Sequence, residues 1–273
     1  MAKPVVLPSD RAAAYLVKIY AQLDKDLQAE IDAAASTGFL GDTVADLQKR
    51  QARVAVLIAK AQQQARPALV ALAAKGYEAG ADFILRKLRK QGLSNSQLNA
   101  LIGPRDSDAV RILAENIVSK FEQTEILVGR RVDDALRSIA LEQTTASLAA
   151  GEARLDLSDR LERALTRAGI TRVDGGLRLV PINGRNYQLD KYARMVARTT
   201  TREAATQGMA NRLRANGIDL YTVDDHQGAC EICAEFNGNT YSLDGATPGY
   251  EVLDDLPPFH PSCRCVLTPA AIL

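Results

Sequence analysis

Apolar residues recur at three- and four-residue steps over most of the first 150 positions. That is the spacing of a helix face turned toward a core. Leu16, Ile19, Tyr20, Leu23, Leu27 and Ile31 predict a helix from Ser9 to Ser36, with Ser9 as its N-cap. Thr37-Gly-Phe-Leu-Gly41 should break it. A second helix is expected from near Asp42, with Val44, Leu47, Val54, Leu57, Ile58 and Ala61 on one side. Pro67 should end or kink that helix, because proline lacks an amide donor and crowds the preceding turn. Helix then resumes through Ala68–Lys90. Ser94-Asn-Ser-Gln97 has the form of a capping box for a further short helix. After Gly103-Pro104 comes the longest helical candidate, 106–149, marked by Val110, Leu113, Ile117, Phe121, Thr124, Val128, Ala135 and Ile139.

The pattern changes after Gly169. Ile170–Val173, Leu177–Ile182 and Tyr187–Leu189 are short β-prone runs separated by Asp174-Gly-Gly and Asn183-Gly184. They predict two hairpins or a three-stranded meander. Asp190 should cap a helix over Lys191–Ala215 that Asn216-Gly217 closes. Ile218–Val223, Thr240–Leu243 and Cys265–Thr268 are further strand candidates.

Composition narrows the class. Of 273 residues 47% are hydrophobic, yet Trp is absent and aromatics are 5%. Such a core suits helix packing better than a β-sandwich. The longest apolar run, about Ala68–Ala74, is far below the ~20 residues that span a bilayer, and the first residues lack the apolar stretch of a signal peptide. No membrane contact is expected. Net charge is +1, but unevenly placed. Residues 219–273 hold nine acids and one base, Arg264, a net of −8. The other 218 residues carry 33 bases and 24 acids, a net of +9. Phosphate affinity rests on Lys and Arg, so any DNA contact belongs to the helical region. Even there, Arg86-Lys-Leu-Arg-Lys90 first suggests a solvated helix end.

All four cysteines lie at the C-terminal end: Cys230-x-x-Cys233, then His260-Pro-x-Cys263-x-Cys265. Thiolate and imidazole are the ligands of tetrahedral zinc. Five donors, Cys230, Cys233, His260, Cys263 and Cys265, compete for four positions. The loop 234–259 has few core residues to offset its ordering entropy, and a structural zinc would fix it. Two disulfides are the alternative that an unexported chain disfavours. A catalytic metal is the other, but it needs an open position and a general acid or base. Hence no residue is assigned a catalytic role. His226, four residues before Cys230, is a turn residue, a hydrogen-bond partner of a ligand, or a substitute ligand. Arg198 and Arg202 lie four apart on one helix face, either solvated or packed against the acidic module. The expected fold class is α+β: an extended, mainly α-helical N-terminal region followed by a small zinc-stapled α+β C-terminal domain. The expected segments are a helical arm over 1–150, a linker helix and β-hairpins over 151–189, and the metal-binding domain over 190–273.

The stretch from Tyr192 to Thr268 resembles the C-terminal domain of tailed-phage head morphogenesis proteins, the Mu F-like minor head proteins and related minor capsid proteins. The matching elements are Ala-Arg198-Thr-Thr-Thr-Arg-Glu-Ala, Asn-Gly-Ile-Asp-Leu-Tyr221, Cys230-Glu-Ile-Cys233-Ala-Glu-Phe-Asn-Gly-Asn-Thr-Tyr-Ser, and Leu-Pro-Pro-Phe-His260-Pro-Ser-Cys263-Arg-Cys265. The last string is the most specific. Residues 1–150 carry no such likeness. The resemblance implies a minor virion protein on the capsid interior near the portal, present in the host cytoplasm during assembly. It implies contacts with the portal protein and with capsid or scaffold proteins, and a role in head assembly, DNA packaging or ejection. A metal-dependent nuclease and a cellular zinc adaptor are the competing functions.

Overall fold

The computed structural model describes residues 9–37, 43–98, 103–148, 157–173, 176–182, 184–224, 230–260 and 263–270. The expected break at 38–41, Asp42, the Asp174-Gly175 turn, Asn183 and His226 lie outside them. Helices α1 (Ser9–Thr37), α2 (Thr43–Lys90), α3 (Pro104–Leu148) and α4 (Leu157–Arg167) come first. Two hairpins follow, β1 (Thr171–Val173) with β2 (Gly176–Arg178) and β3 (Val180–Ile182) with β4 (Arg185–Tyr187). Then come α5 (Leu189–Ala215), β5 (Leu220–Asp224), α6 (Glu231–Ala234), β6 (Thr240–Ser242) and β7 (Val266–Pro269). The chain is α+β, with its helices mainly N-terminal and, among the described residues, one three-stranded sheet near the C-terminus.

Two compact units are formed. One comprises Met1–Ala14, Ala68–Val118 and Met195–Leu273; the other comprises Tyr15–Pro67 and Ser119–Arg194. Neither is a single stretch of chain.

In the unit of Tyr15–Pro67 and Ser119–Arg194 the core is set by the apolar stripe of α1. Leu16, Ile19, Tyr20, Leu23, Leu27 and Ile31 are all buried, with Val54, Ala61, Phe121, Val128, Val132 and Leu136. Tyr20 packs on Phe121 with ring centroids 5.1 Å apart, and its hydroxyl donates to buried Glu125 at 2.6 Å. The first half of α2 contributes less than its spacing promised: Val44 is 64% exposed, and Leu47, Leu57 and Ile58 are half-buried. The hairpins have three residues per strand, too few to be held by their own ladders. Arg131 ties them down, donating to the Leu179 carbonyl at 3.1 Å and to Asn186 Oδ1 at 3.0 Å.

Pro67 does not end its helix; α2 runs unbroken from Thr43 to Lys90 with the ring exposed. An interior proline costs ~3 kcal/mol, which the burial of Ala65, Leu69, Leu72 and Ala73 on neighbouring turns offsets. The expected helix at Ser94 is also absent from the described residues. The Ser94 amide donates to Gln97 Oε1 at 2.8 Å, as in a capping box, but residues 95–97 form only a turn.

The unit that includes Ala68–Val118 and Met195–Leu273 joins helices to the sheet. Residues Ala68–Lys90 of α2 cross α5 at small residues. A Cβ on Gly76 would lie 2.8 Å from the Thr201 carbonyl oxygen, and one on Gly80 only 2.6 Å from the Ala205 carbonyl carbon. Helix α5 ends at Ala215 and is closed by Gly217, whose φ of +68° suits glycine. There Ile218 N–H donates to Leu213 and Gly217 N–H to Arg214, the paired bonds of a Schellman stop. The chain then enters β5, centre of an antiparallel sheet ordered β6-β5-β7, with Tyr221 opposite Tyr241 and Val223 opposite Leu267. Phe83, Ile84 and Leu88 of α2 and Met209 and Leu213 of α5 cover this sheet in one core with Cys233, Cys263 and Cys265.

Candidate metal centre

The cysteines and histidine converge because the sheet brings their carriers together. Cys230 and Cys233 sit between β5 and β6, and Cys263 and Cys265 lead into β7, which pairs with the same β5. The Cys-x-x-Cys segment is one helical turn: Cys230 is the N-cap of α6, and Cys233 and Ala234 donate their amides to its carbonyl at 3.0 and 2.9 Å. That turn puts both sulfurs on one side. From the other side His260 Nε2 lies 3.1 Å from Cys230 Sγ and 3.1 Å from Cys233 Sγ. Cys263 Sγ is 3.7 Å from Cys233 Sγ.

Two overlapping triads result: Cys230, Cys233 and His260, and Cys233, Cys263 and Cys265, each with donor atoms within 4.8 Å of one another. Cys233 belongs to both. All four thiols are free; Cys230 is exposed and the other three are buried. The edge of a tetrahedron about an ion with 2.3 Å bonds to sulfur is roughly 3.7 Å, and a sulfur–nitrogen edge is roughly 3.6 Å. The Cys233–Cys263 separation fits this now, and the imidazole needs to move by about 0.5 Å. The donor set is therefore compatible with zinc.

The thiols also fit a cation electrostatically. A hydrogen bond from Cys265 holds the Cys263 thiol down to about 5, and the same contact pushes Cys265 up. Burial pushes Cys233 up to about 12, whereas the Cys233 amide lowers Cys230. Clustered sulfurs cannot all ionise without a positive partner. One such charge is already in place. Burial lowers the Arg202 guanidinium, and Cys263 and Cys265 pull it back up, so the arginine lies within electrostatic reach of both sulfurs. Arg198, one turn earlier, is exposed. The two share a helix face but differ in burial, Arg202 being half-buried, which their four-residue spacing alone did not tell.

Missed by the sequence reading was the surrounding wall. Phe236 stacks on Phe259 with centroids 4.2 Å apart, joining the segment after Cys233 to the residue before His260. Phe259 directly precedes His260 and Phe236 follows Cys233 by three residues, which was the available signal.

A family model described as phage minor capsid protein 2 matches residues 10–255. No curated protein and no solved structure matches the chain. The match takes in the whole helical region, for which the motifs near the cysteines offered no likeness, and it stops before the Pro257-to-Cys265 string. It covers far more than half of the 273 residues, and on that extent the chain belongs to the phage minor capsid protein 2 family.

Proposed function

We propose that the protein is a structural component of the phage head that serves its assembly. It binds the portal protein and capsid or scaffold proteins at the capsid interior. It is present in the host cytoplasm before incorporation and enters the virion in a few copies. Packaged DNA meets it through the basic helical region. One zinc ion, held by four of Cys230, Cys233, His260, Cys263 and Cys265, fixes the C-terminal module and takes no part in catalysis.

The observation that carries this is the family match across residues 10–255. The structural role of the metal is supported by a surplus of protein donors: five gather where a tetrahedral ion takes four. A catalytic zinc keeps a position open to water. Co-purification with a portal protein of the same phage tests the assembly role, and no association would refute it. Robust metal-dependent DNA cleavage that His260→Ala abolishes would instead make the chain a nuclease.

A further inference from the structure

Beside the cysteine cluster runs a groove of about 970 Å³, contained in the unit that includes Met195–Leu273. One wall is the α6 segment with Ile232 and Phe236; the other is the loop from Glu251 to Phe259. Thr206 of α5 and Tyr221 of β5 also line it. Its lining is mixed, more polar than apolar, with two half-exposed apolar side chains in it: Ile232 is 54% exposed and Val252 46%. Its rim is acidic. Glu235, Glu251, Asp254 and Asp255 are exposed along it. The single base in the lining, Arg214, is held by Asp244 at 2.9 Å.

A second observation points to an occupant. Tyr221 is 0% and Thr206 2% exposed, yet Tyr221 Oη and Thr206 Oγ1 have no hydrogen-bond partner among the described residues. Buried hydroxyls are normally paired. Two unpaired ones lining the same groove suit a ligand that brings its own hydrogen-bonding groups.

We propose that this groove docks a basic, apolar-anchored peptide segment of another protein of the particle. Apolar side chains of that segment cover Ile232, Phe236 and Val252. Its lysines or arginines meet the carboxylates of Glu251, Asp254 and Asp255. Its amide or ammonium groups donate to Tyr221 and Thr206. Nucleic acid is repelled by the same rim. The choice of a virion protein as the source rests on the assembly role proposed above; the groove and its chemistry do not.

The test uses the full chain and a fluorescein-labelled synthetic peptide of alternating lysine and leucine, followed by anisotropy. Saturable binding is expected, weakening as salt screens the rim. A lysine–serine peptide should bind less and a glutamate–leucine peptide not at all. The triple substitution Glu251→Lys/Asp254→Lys/Asp255→Lys should weaken binding about tenfold, as expected for three rim charge pairs. Val252→Asp, at an exposed position, carries the same expectation should the triple variant fail to fold. Failure of the lysine–leucine peptide to bind the wild type overturns the proposal, as does equal binding to both variants. Concentration-dependent self-association abolished by the triple substitution would give the groove to a second copy and equally overturn it. Portal co-purification is scored separately on the wild type. Its loss with peptide binding intact removes the portal and keeps the groove; the reverse keeps the portal and removes the groove.

Discussion

Replacing Gly80 with alanine tests whether the α2–α5 crossing supports the sheet beside the cysteine cluster. The new methyl carbon would lie 2.6 Å from the Ala205 carbonyl carbon and 2.8 Å from its Cα, where ordinary contact begins at 3.4 Å. The Ala205 carbonyl oxygen is nearer still, so relief requires the helices to part by well over the 0.8 Å that the carbonyl carbon alone would need. Both sides of the clash are backbone, so no side chain can rotate away. Inserting a methyl group into such packing costs about 1–3 kcal/mol. Alanine returns about 1 kcal/mol through its better helix propensity. A net loss of about 1–2 kcal/mol is expected. The matched control is Gly129→Ala, whose methyl would meet only the flexible Cδ1 end of Ile58 at 3.0 Å; there propensity should win and stability hold or rise. Urea unfolding followed by circular dichroism reads both, and added zinc should recover part of the loss if the ion binds only the folded module. A Gly80→Ala protein as stable as Gly129→Ala would refute the tight crossing.

Elemental analysis should find one zinc per chain, and Cys233→Ser should lose it most completely, since Cys233 belongs to both triads; full zinc in that variant would contradict the ligand set. Chelation should raise amide exchange not only at β5 and β7 but also around Phe83, Ile84 and Leu88, which share their core; protection unchanged at those three would separate them from the metal. Asp24 is pushed up to about 6, first by burial and then by Asp190, from an ordinary 3.8. A carboxyl raised on folding binds its proton more tightly in the folded state, so its contribution to stability is lost as pH rises from about 4 through 6. Asp24→Asn should then stabilise the protein by about 1 kcal/mol at pH 8, discounted for partial exposure, and not at pH 4; thermal melts across that range give the answer, and a pH-independent effect would refute it.

The legible parts were those set by local pattern. All six apolar positions singled out on α1 are buried, because one amphipathic stripe on a long helix has one way to face a core. The three C-terminal strands appeared within a residue or two of their expected places, since turn residues bound each apolar run. Cysteine and histidine spacing picked out the side chains that the fold brings together. What escaped depends on distant partners. Pro67 looks like a stop until the burial of the turns around it is seen. Gly76, Gly80 and Gly208 look like helix weaknesses, and only the opposed backbone makes them contact points. Nothing near Phe83 says that it covers a sheet well over a hundred residues later, nor does any local pattern say that non-consecutive stretches will build each unit.

The position of Arg202 beside Cys263 and Cys265 has a further consequence. A dication bound by three thiolates and one imidazole carries a net charge of about −1. One guanidinium within electrostatic reach offsets it. The centre would then be electrically silent within a module whose remaining charge is strongly negative, and it would neither add to the repulsion among the surrounding carboxylates nor draw stray cations to itself. Arg202→Leu would leave every sulfur in place and still turn a neutral rivet into one more anion.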